Sequence, residues 1–242
     1  MESTTKRSSA ESAAEPLGPD GRAGPIPLPA GGDAVAGRIE LRAVGAERLE
    51  RVRTTTAHCT IVTVDIEGFG RYSRNNTNMV RVRHGLYLAM RHAFDTAGIV
   101  WESCRREDRG DGILVLAPAD IPKTLFADHL PDTLLDALAG HNRIHPGEEQ
   151  IRLRLAIHAG EINYDEHGVT GASIVHAFRI LDSAELKQAL EETAAVLAFA
   201  GSGWFFDEVI RHSERSRAQD YRATDITNKE TTTRAWIRLL PA

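Results

Sequence analysis

A chain of 242 residues, 42% of them hydrophobic, is long enough for one domain with a sizeable core plus flanking segments. Its formal charge of −5 excludes a general electrostatic hold on nucleic acid or an anionic membrane, so a polyphosphate partner must be gripped by local cationic groups or by metal. Two cysteines without CxxC spacing, Cys59 and Cys104, point away from a zinc site and toward a reduced, cytoplasmic chain. No apolar run reaches the ~18 residues that span a bilayer, and no hydrophobic segment follows Lys6 and Arg7.

Residues 1–36 are rich in Ser, Ala, Gly and Pro and hold few large apolar side chains, the composition of a disordered tail. A lead-in over 37–56 precedes a domain over 57–240. Its first strand, HCTIVTVDI, is β-branched and ends at Asp65. MVRVRHGLYLAMRHAFDTAG places Val82, Leu86, Met90 and Phe94 four apart and stops at Gly98, which predicts an amphipathic helix. A strand is expected near IVWESC, then a turn at EDRGDG and a strand at ILVLAP, a hairpin with Asp111 at its tip. PDTLLDALAGHNR reads as a helix buried along Leu134, Leu135 and Leu138. In IRLRLAIHAGEI, Ile151, Leu153, Leu155 and Ile157 alternate with Arg152, Arg154 and Ala156 along a strand. Helices at SIVHAFRILDS and AELKQALEE, a strand at AVLAFA and a last strand at RAWIRLL complete the chain. The order predicts an α+β fold: a ferredoxin-like βαββαβ antiparallel sheet with helices on one face and C-terminal extensions.

The chemistry lies at strand ends. Asp65 closes the first strand, and such a sheet sets Asp111 beside it on the neighbouring central strand. Two carboxylates about 4 Å apart repel by roughly 4 kcal/mol at an effective dielectric of 20 unless one is protonated or a cation lies between them. Mg²⁺ or Mn²⁺ resolves that conflict, because hard cations bind one or two carboxylates together with substrate phosphates. The bland alternative makes Asp65 a helix cap and the Asp-Gly pair a turn.

Together VDIEGFG, EDRGDGILVLAP, IRLRLAIHAGEI and GASIVHAFRIL resemble, in order and spacing, the catalytic domain of class III nucleotidyl cyclases over about residues 57–240. The resemblance implies a lyase that turns a nucleoside triphosphate into a 3′,5′-cyclic nucleotide and pyrophosphate with two divalent cations, Mn²⁺ or Mg²⁺. It places those ions on Asp65, Asp111 and the carbonyl of Ile66, matches Arg179 to the arginine that stabilises charge at the attacked phosphorus, and matches Lys229 to a lysine on the terminal phosphates. It further implies a homodimer whose active site lies between two chains. His158 reads as a satisfied strand-end histidine.

Departures from the family pattern bear on the substrate. The ribose-orienting asparagine falls on Val175, and His176 beside it faces elsewhere on the helix. Of the two base-reading positions, Glu107 is the acidic type associated with guanine, and Gly168 has no side chain; the two are expected to frame the base from different chains, with Tyr164 or His167 nearby. This incomplete purine reader resembles the bacterial anti-phage pyrimidine cyclases, whose cUMP or cCMP is read by a separate effector protein. Guanylate or adenylate cyclisation is the alternative activity. An inactive cyclase fold serving as nucleotide sensor or dimerisation module is the alternative class, with Val175 as its mark. Nucleic-acid binding is disfavoured by the charge and the lack of a basic stripe.

Overall fold

The structure, a computed structural model, describes residues 55–242; the expected tail over 1–36 and nearly all of the lead-in over 37–56 lie outside them. Eight strands form one sheet: β1 Thr55–Ile66, β2 Arg105–Asp108, β3 Gly112–Pro118, β4 Leu153–Asp165, β5 Gly168–Thr170, β6 Ala195–Ser202, β7 Arg222–Asn228 and β8 Thr231–Pro241. Their order is β2-β3-β1-β4-β6-β8-β7, with β5 paired to β4. β1 runs antiparallel to both β3 and β4, and β2 antiparallel to β3, so β1 to β4 with the helices that connect them make the expected βαββαβ unit. β6 then joins β4 in parallel, and the β7–β8 hairpin extends that side.

The helices are α1 Asn76–Thr96, α2 Lys123–Asp128, α3 Leu130–Ile144, α4 Ala172–Leu181, α5 Ala184–Glu191 and α6 Gly203–Glu208. Asn75 and Asn78 cap the start of α1 by exchanging backbone bonds of 2.9 and 3.1 Å. Gly98, at φ +83, takes the left-handed turn that ends it. Val82, Leu86, Met90 and Phe94 are all fully buried, each contributing about 1.5–3 kcal/mol of apolar transfer. They meet Leu134 and Leu138 of α3 and the inward residues Val62, Val64, Ile113, Val115, Leu153, Leu155 and Ile157 of the sheet.

The two long helices of the βαββαβ unit thus share one face, as expected. The opposite face is not bare. Cys59, Ile61, Leu114 and Leu116 pack there against Ile174 and Ala177 of α4, while α5 covers Ala156, Ala198 and Ala200 with Leu186 and Leu190. α4 approaches β4 closely because Gly160 leaves room for it: a Cβ at 160 would lie 2.2 Å from the Ser173 hydroxyl. Helices therefore lie on both faces, and the second-face pair belongs to the C-terminal extension.

The strand expected at IVWESC is corrected. Ile99, Trp101 and Cys104 are buried as a plug beneath α1, with Trp101 edge-on to Phe94 at 5.1 Å and its N–H donated to Asp95 at 3.0 Å. β2 is instead the charged run Arg105–Asp108, part of which had read as turn. Period-two alternation makes it a strand: Asp108 turns to Arg83 and Tyr87 on the α1 face, and Arg105 and Glu107 turn to the other. Among the described residues both cysteines are free and buried, and no helix is long and apolar enough to cross a membrane.

Gly112 opens β3 directly opposite Asp65. A Cβ there would fall 1.9 Å from the Val64 carbonyl oxygen, against backbone that has nowhere to move. Gly112→Ala is therefore expected to cost at least about 2 kcal/mol, within the range of overpacking and backbone strain. Denaturant unfolding with an unchanged midpoint would contradict this.

Candidate active site

Asp65 is the last outward residue of β1 on the α4 face, registered between Gly112 of β3 and Arg154 of β4. Its side chain is 14% exposed and that of Arg154 11%. The guanidinium forks onto the carboxylate, Nε to Oδ1 and Nη2 to Oδ2, both at 2.8 Å. Burial pushes the Asp65 carboxyl above its ordinary range; the Arg154 bonds and charge oppose this, and nearby Asp111 and Asp182 add to it. Asp111 stands exposed at the tip of the β2–β3 hairpin, as expected, and its carbonyl accepts the N–H of Ile66 at 3.0 Å. The fold sets Asp65, Ile66 and Asp111 side by side at the end of β1. The sequence reading missed Arg154 and Asp182. The alternation in IRLRL placed Arg154 outward, but only the β1–β4 register shows that outward means onto Asp65.

The loop after Ile66 is held rigidly. Glu67 pairs with Arg152 at 2.7 Å, and Arg152 also caps the carbonyls of Ala195 and Thr193 at 2.9 and 2.8 Å, which makes it structural. Arg74, 5% exposed, ties Gly68 to the 148–150 loop through bonds of 2.7 to 3.1 Å.

Among the described residues no three or more His, Cys, Asp or Glu side chains converge as a ready cation cage. Two carboxylates and a carbonyl remain, an all-oxygen donor set short of the six or so ligands a hard cation takes, so substrate phosphates must complete it. The residues fit a divalent cation on that condition, and on sharing Asp65 with Arg154, since an ionised carboxylate has about four lone-pair positions.

A second group of residues lies further along the same face. Arg179, near the end of α4, is 18% exposed and donates from Nη2 to Glu230 at 2.7 Å; its buried Nε has no partner among the described residues. Glu230 and Lys229 form the two-residue β7–β8 turn, with Lys229 at φ +54, and Asn228 donates to the Arg179 carbonyl at 2.9 Å. The fold therefore gathers Arg179 and Lys229, 50 positions apart. It does not bring Arg179 to Asp65, whose arginine is Arg154. Val175 is 45% exposed on α4. His176 turns inward onto His158, ring centroids 4.7 Å apart, as expected.

Glu107 sits on β2, one alternate residue along β3 from the level of Asp65. A Cβ at Gly168 would lie 3.7 Å from its Oε1, so these two positions adjoin within one chain. The expectation that they come from different chains is corrected: the β4–β5 turn folds Gly168 back over the edge strand. Tyr164 joins this group through Arg105, whereas His167 is exposed and pairs with Glu166.

His158 donates or accepts at Ser202 Oγ, 2.8 Å away, beneath Trp204. Burial, with His176 and His58 adding charge repulsion, lowers its pKa from 6.5 to about 4. It is the satisfied histidine the sequence suggested. Because the folded pKa lies below the unfolded one, its contribution to stability is complete above about pH 6.5 and is lost as pH falls toward 4. His158→Gln should flatten the decline of Tm over that window; an unchanged slope would contradict the assignment.

No protein-family model and no curated protein matches the chain. Solved structures do. The chain is similar to the guanylyl cyclase Cya2, with TM-score 0.54 at 18% identity over 76% of this chain and 91% of that one. It is similar to the adenylate/guanylate cyclase/hydrolase from Silicibacter pomeroyi, with TM-score 0.53 at 18% identity over 78% and 99%. It is also similar to the adenylyl cyclase CyaB from P. aeruginosa, with TM-score 0.51 at 11% identity over 77% and 96%. Identities this low speak to architecture alone. Residues 55–242 have the fold of class III adenylyl and guanylyl cyclase catalytic domains.

Proposed function

We propose that the chain is a nucleotidyl cyclase, joining the 3′-oxygen of a nucleoside triphosphate to its α-phosphorus with release of pyrophosphate. The observation that carries this reading is Asp65 at the end of β1 beside Asp111 in the β2–β3 turn of a cyclase fold, at the end of the face that also bears Arg179. Asp65, Asp111 and the carbonyl of Ile66 would hold two divalent cations, Mn²⁺ or Mg²⁺. Bound there, such ions would supply Lewis acidity for the 3′-hydroxyl and for the charge of the leaving pyrophosphate. Arg154 counteracts the effect of burial on the Asp65 carboxyl and keeps both oxygens oriented. Arg179 would offer a phosphoryl oxygen the guanidinium that now leans on the exposed Glu230, and Lys229 a charge for the terminal phosphates.

Within one chain Arg179 and Asp65 each have another partner. We therefore assign the working unit to a homodimer in which the aspartates of one copy face the arginine of the other. The incomplete purine reader, Glu107 beside a bare Gly168, supports a pyrimidine product, cUMP or cCMP, acting as a second messenger for a separate effector in anti-phage defence. Exposed Val175 is the one observation that favours an inactive sensor instead, since it offers the ribose no hydrogen bond. A polar ribose contact from elsewhere is required for turnover.

Incubation with ATP, GTP, CTP and UTP and Mn²⁺, with products identified by mass, separates these readings: a cyclic nucleotide supports the cyclase, and its absence with all four supports the sensor. Asp111→Asn changes an exposed side chain and should leave stability unchanged while reducing turnover to less than about a tenth. Asp65→Asn should do the same, with some loss of stability because Arg154 forfeits its charged partner. Wild-type turnover by either folded variant would remove the metal assignment.

A further inference from the structure

Glu107 is gripped from both sides by arginines of its own strand and turn. Arg105 donates to Oε1 from Nε at 3.2 Å and Nη2 at 3.0 Å, and Arg109 donates to Oε2 from Nη2 at 3.0 Å. Each guanidinium also lies over an aromatic ring at 5.4 Å, Arg105 over Tyr164 and Arg109 over Phe178. Gly168 lies against this group, a Cβ there falling 3.7 Å from Glu107 Oε1 and 3.9 Å from Arg105 Nη2, so the turn adds backbone but no side chain beside the carboxylate. Stability does not explain such a triad. Ion pairs this accessible, with Arg105 45%, Glu107 25% and Arg109 42% exposed, add little to stability and immobilise three long side chains.

The order of hydrogen-bonding groups explains it better. A guanidinium has five N–H donors, and Arg105 and Arg109 direct only a few of theirs to Glu107, so each has donors free. The carboxylate, with about four acceptor positions and three bonds, has one acceptor left. Along β2 and into the turn after it, the group therefore reads donor, acceptor, donor. The imide edge of uracil reads O4, N3–H, O2: acceptor, donor, acceptor. Cytosine presents a donor where an acceptor is needed and bare N3 against the carboxylate. Guanine sets its amino group against an arginine, and the Watson–Crick edge of adenine sets its N6 amino donor against an arginine and its N1 acceptor against the carboxylate.

We propose that Arg105, Glu107 and Arg109 form a uracil-reading triad, so that the triphosphate is UTP and the product 3′,5′-cyclic UMP. Arg105 and Arg109 are thereby specificity-determining residues, with Tyr164 and Phe178 holding the guanidinium planes. The proposal rests on the cyclase reading and narrows its substrate.

Equilibrium binding tests it without turnover. The full chain with Mn²⁺ is titrated with the α,β-methylene analogues of UTP, CTP, GTP and ATP, in which the bond broken by cyclisation is blocked, and with the same UTP analogue methylated at N3. The UTP analogue should bind about tenfold more tightly than the CTP analogue, and N3-methylation should remove that advantage, because a mismatch sets donor against donor at the half-exposed triad. Arg105→Ala and Arg109→Ala should each weaken the UTP analogue about tenfold or more while moving the others less than about threefold. The comparison among analogues on the wild-type chain holds even if a variant fails to fold. Equal or tighter binding of another analogue, or equal losses for all four in the arginine variants, overturns the uracil triad and leaves the cyclase reading intact. If none of the four binds, both fall.

Discussion

One ion pair, Arg154 forked onto Asp65, sets the terms for the rest of the molecule. A carboxylate this buried would favour protonation, and a proton there would end any cation chemistry. The guanidinium opposes that shift and fixes both oxygens. The pair exists because β1 lies between β3 and β4: Gly112 lets β3 come close on one side, and the β4 register presents Arg154 on the other. The core beneath, from Val64 and Leu155 to Phe94, holds that register, because a slip of one residue would turn Asp65 into the apolar layer.

The same face carries the other groups, each restrained by a neighbour in its own chain. Arg179 leans on Glu230, Glu107 on two arginines, and Asp65 on Arg154. Glu230 is 68% exposed and sits on a two-residue turn, so that restraint is weak. The arrangement is a set of preoriented charges with donors or acceptors to spare, suited to a polyanionic ligand arriving with its own cations. In the function we propose, a second copy supplies the missing half of each site.

The sequence was most informative where periodicity and burial coincide. Val82, Leu86, Met90 and Phe94 mark α1 without ambiguity, and the β-branched run to Asp65 marks β1. It misled at IVWESC, because an apolar run can plug a helix end as readily as it forms a strand, and at Arg105–Asp108, where charged residues alternate as an edge strand. The extension helices on the second face were legible as helices but not in their placement, which follows from Gly160 and from alanines whose facing is fixed only by the β4–β6 pairing. Asp65, Asp111, Arg179 and Lys229 were named from spacing and resemblance. Arg154, Asp182 and the arginines flanking Glu107 emerged only from the folded register, since nothing local distinguishes them from solvated charges.

The measurement that bears most directly on the divided site is complementation. Asp65→Asn and Arg179→Ala chains, each inactive alone, are mixed under conditions of demonstrated subunit exchange and assayed for cyclic nucleotide. A mixed dimer holds one site with both lesions and one with neither, so a random mixture should regain about a quarter of wild-type turnover, half its molecules being mixed and each carrying one intact site. No recovery despite exchange would contradict the account, because Asp65 and Arg179 would then have to act within the same chain.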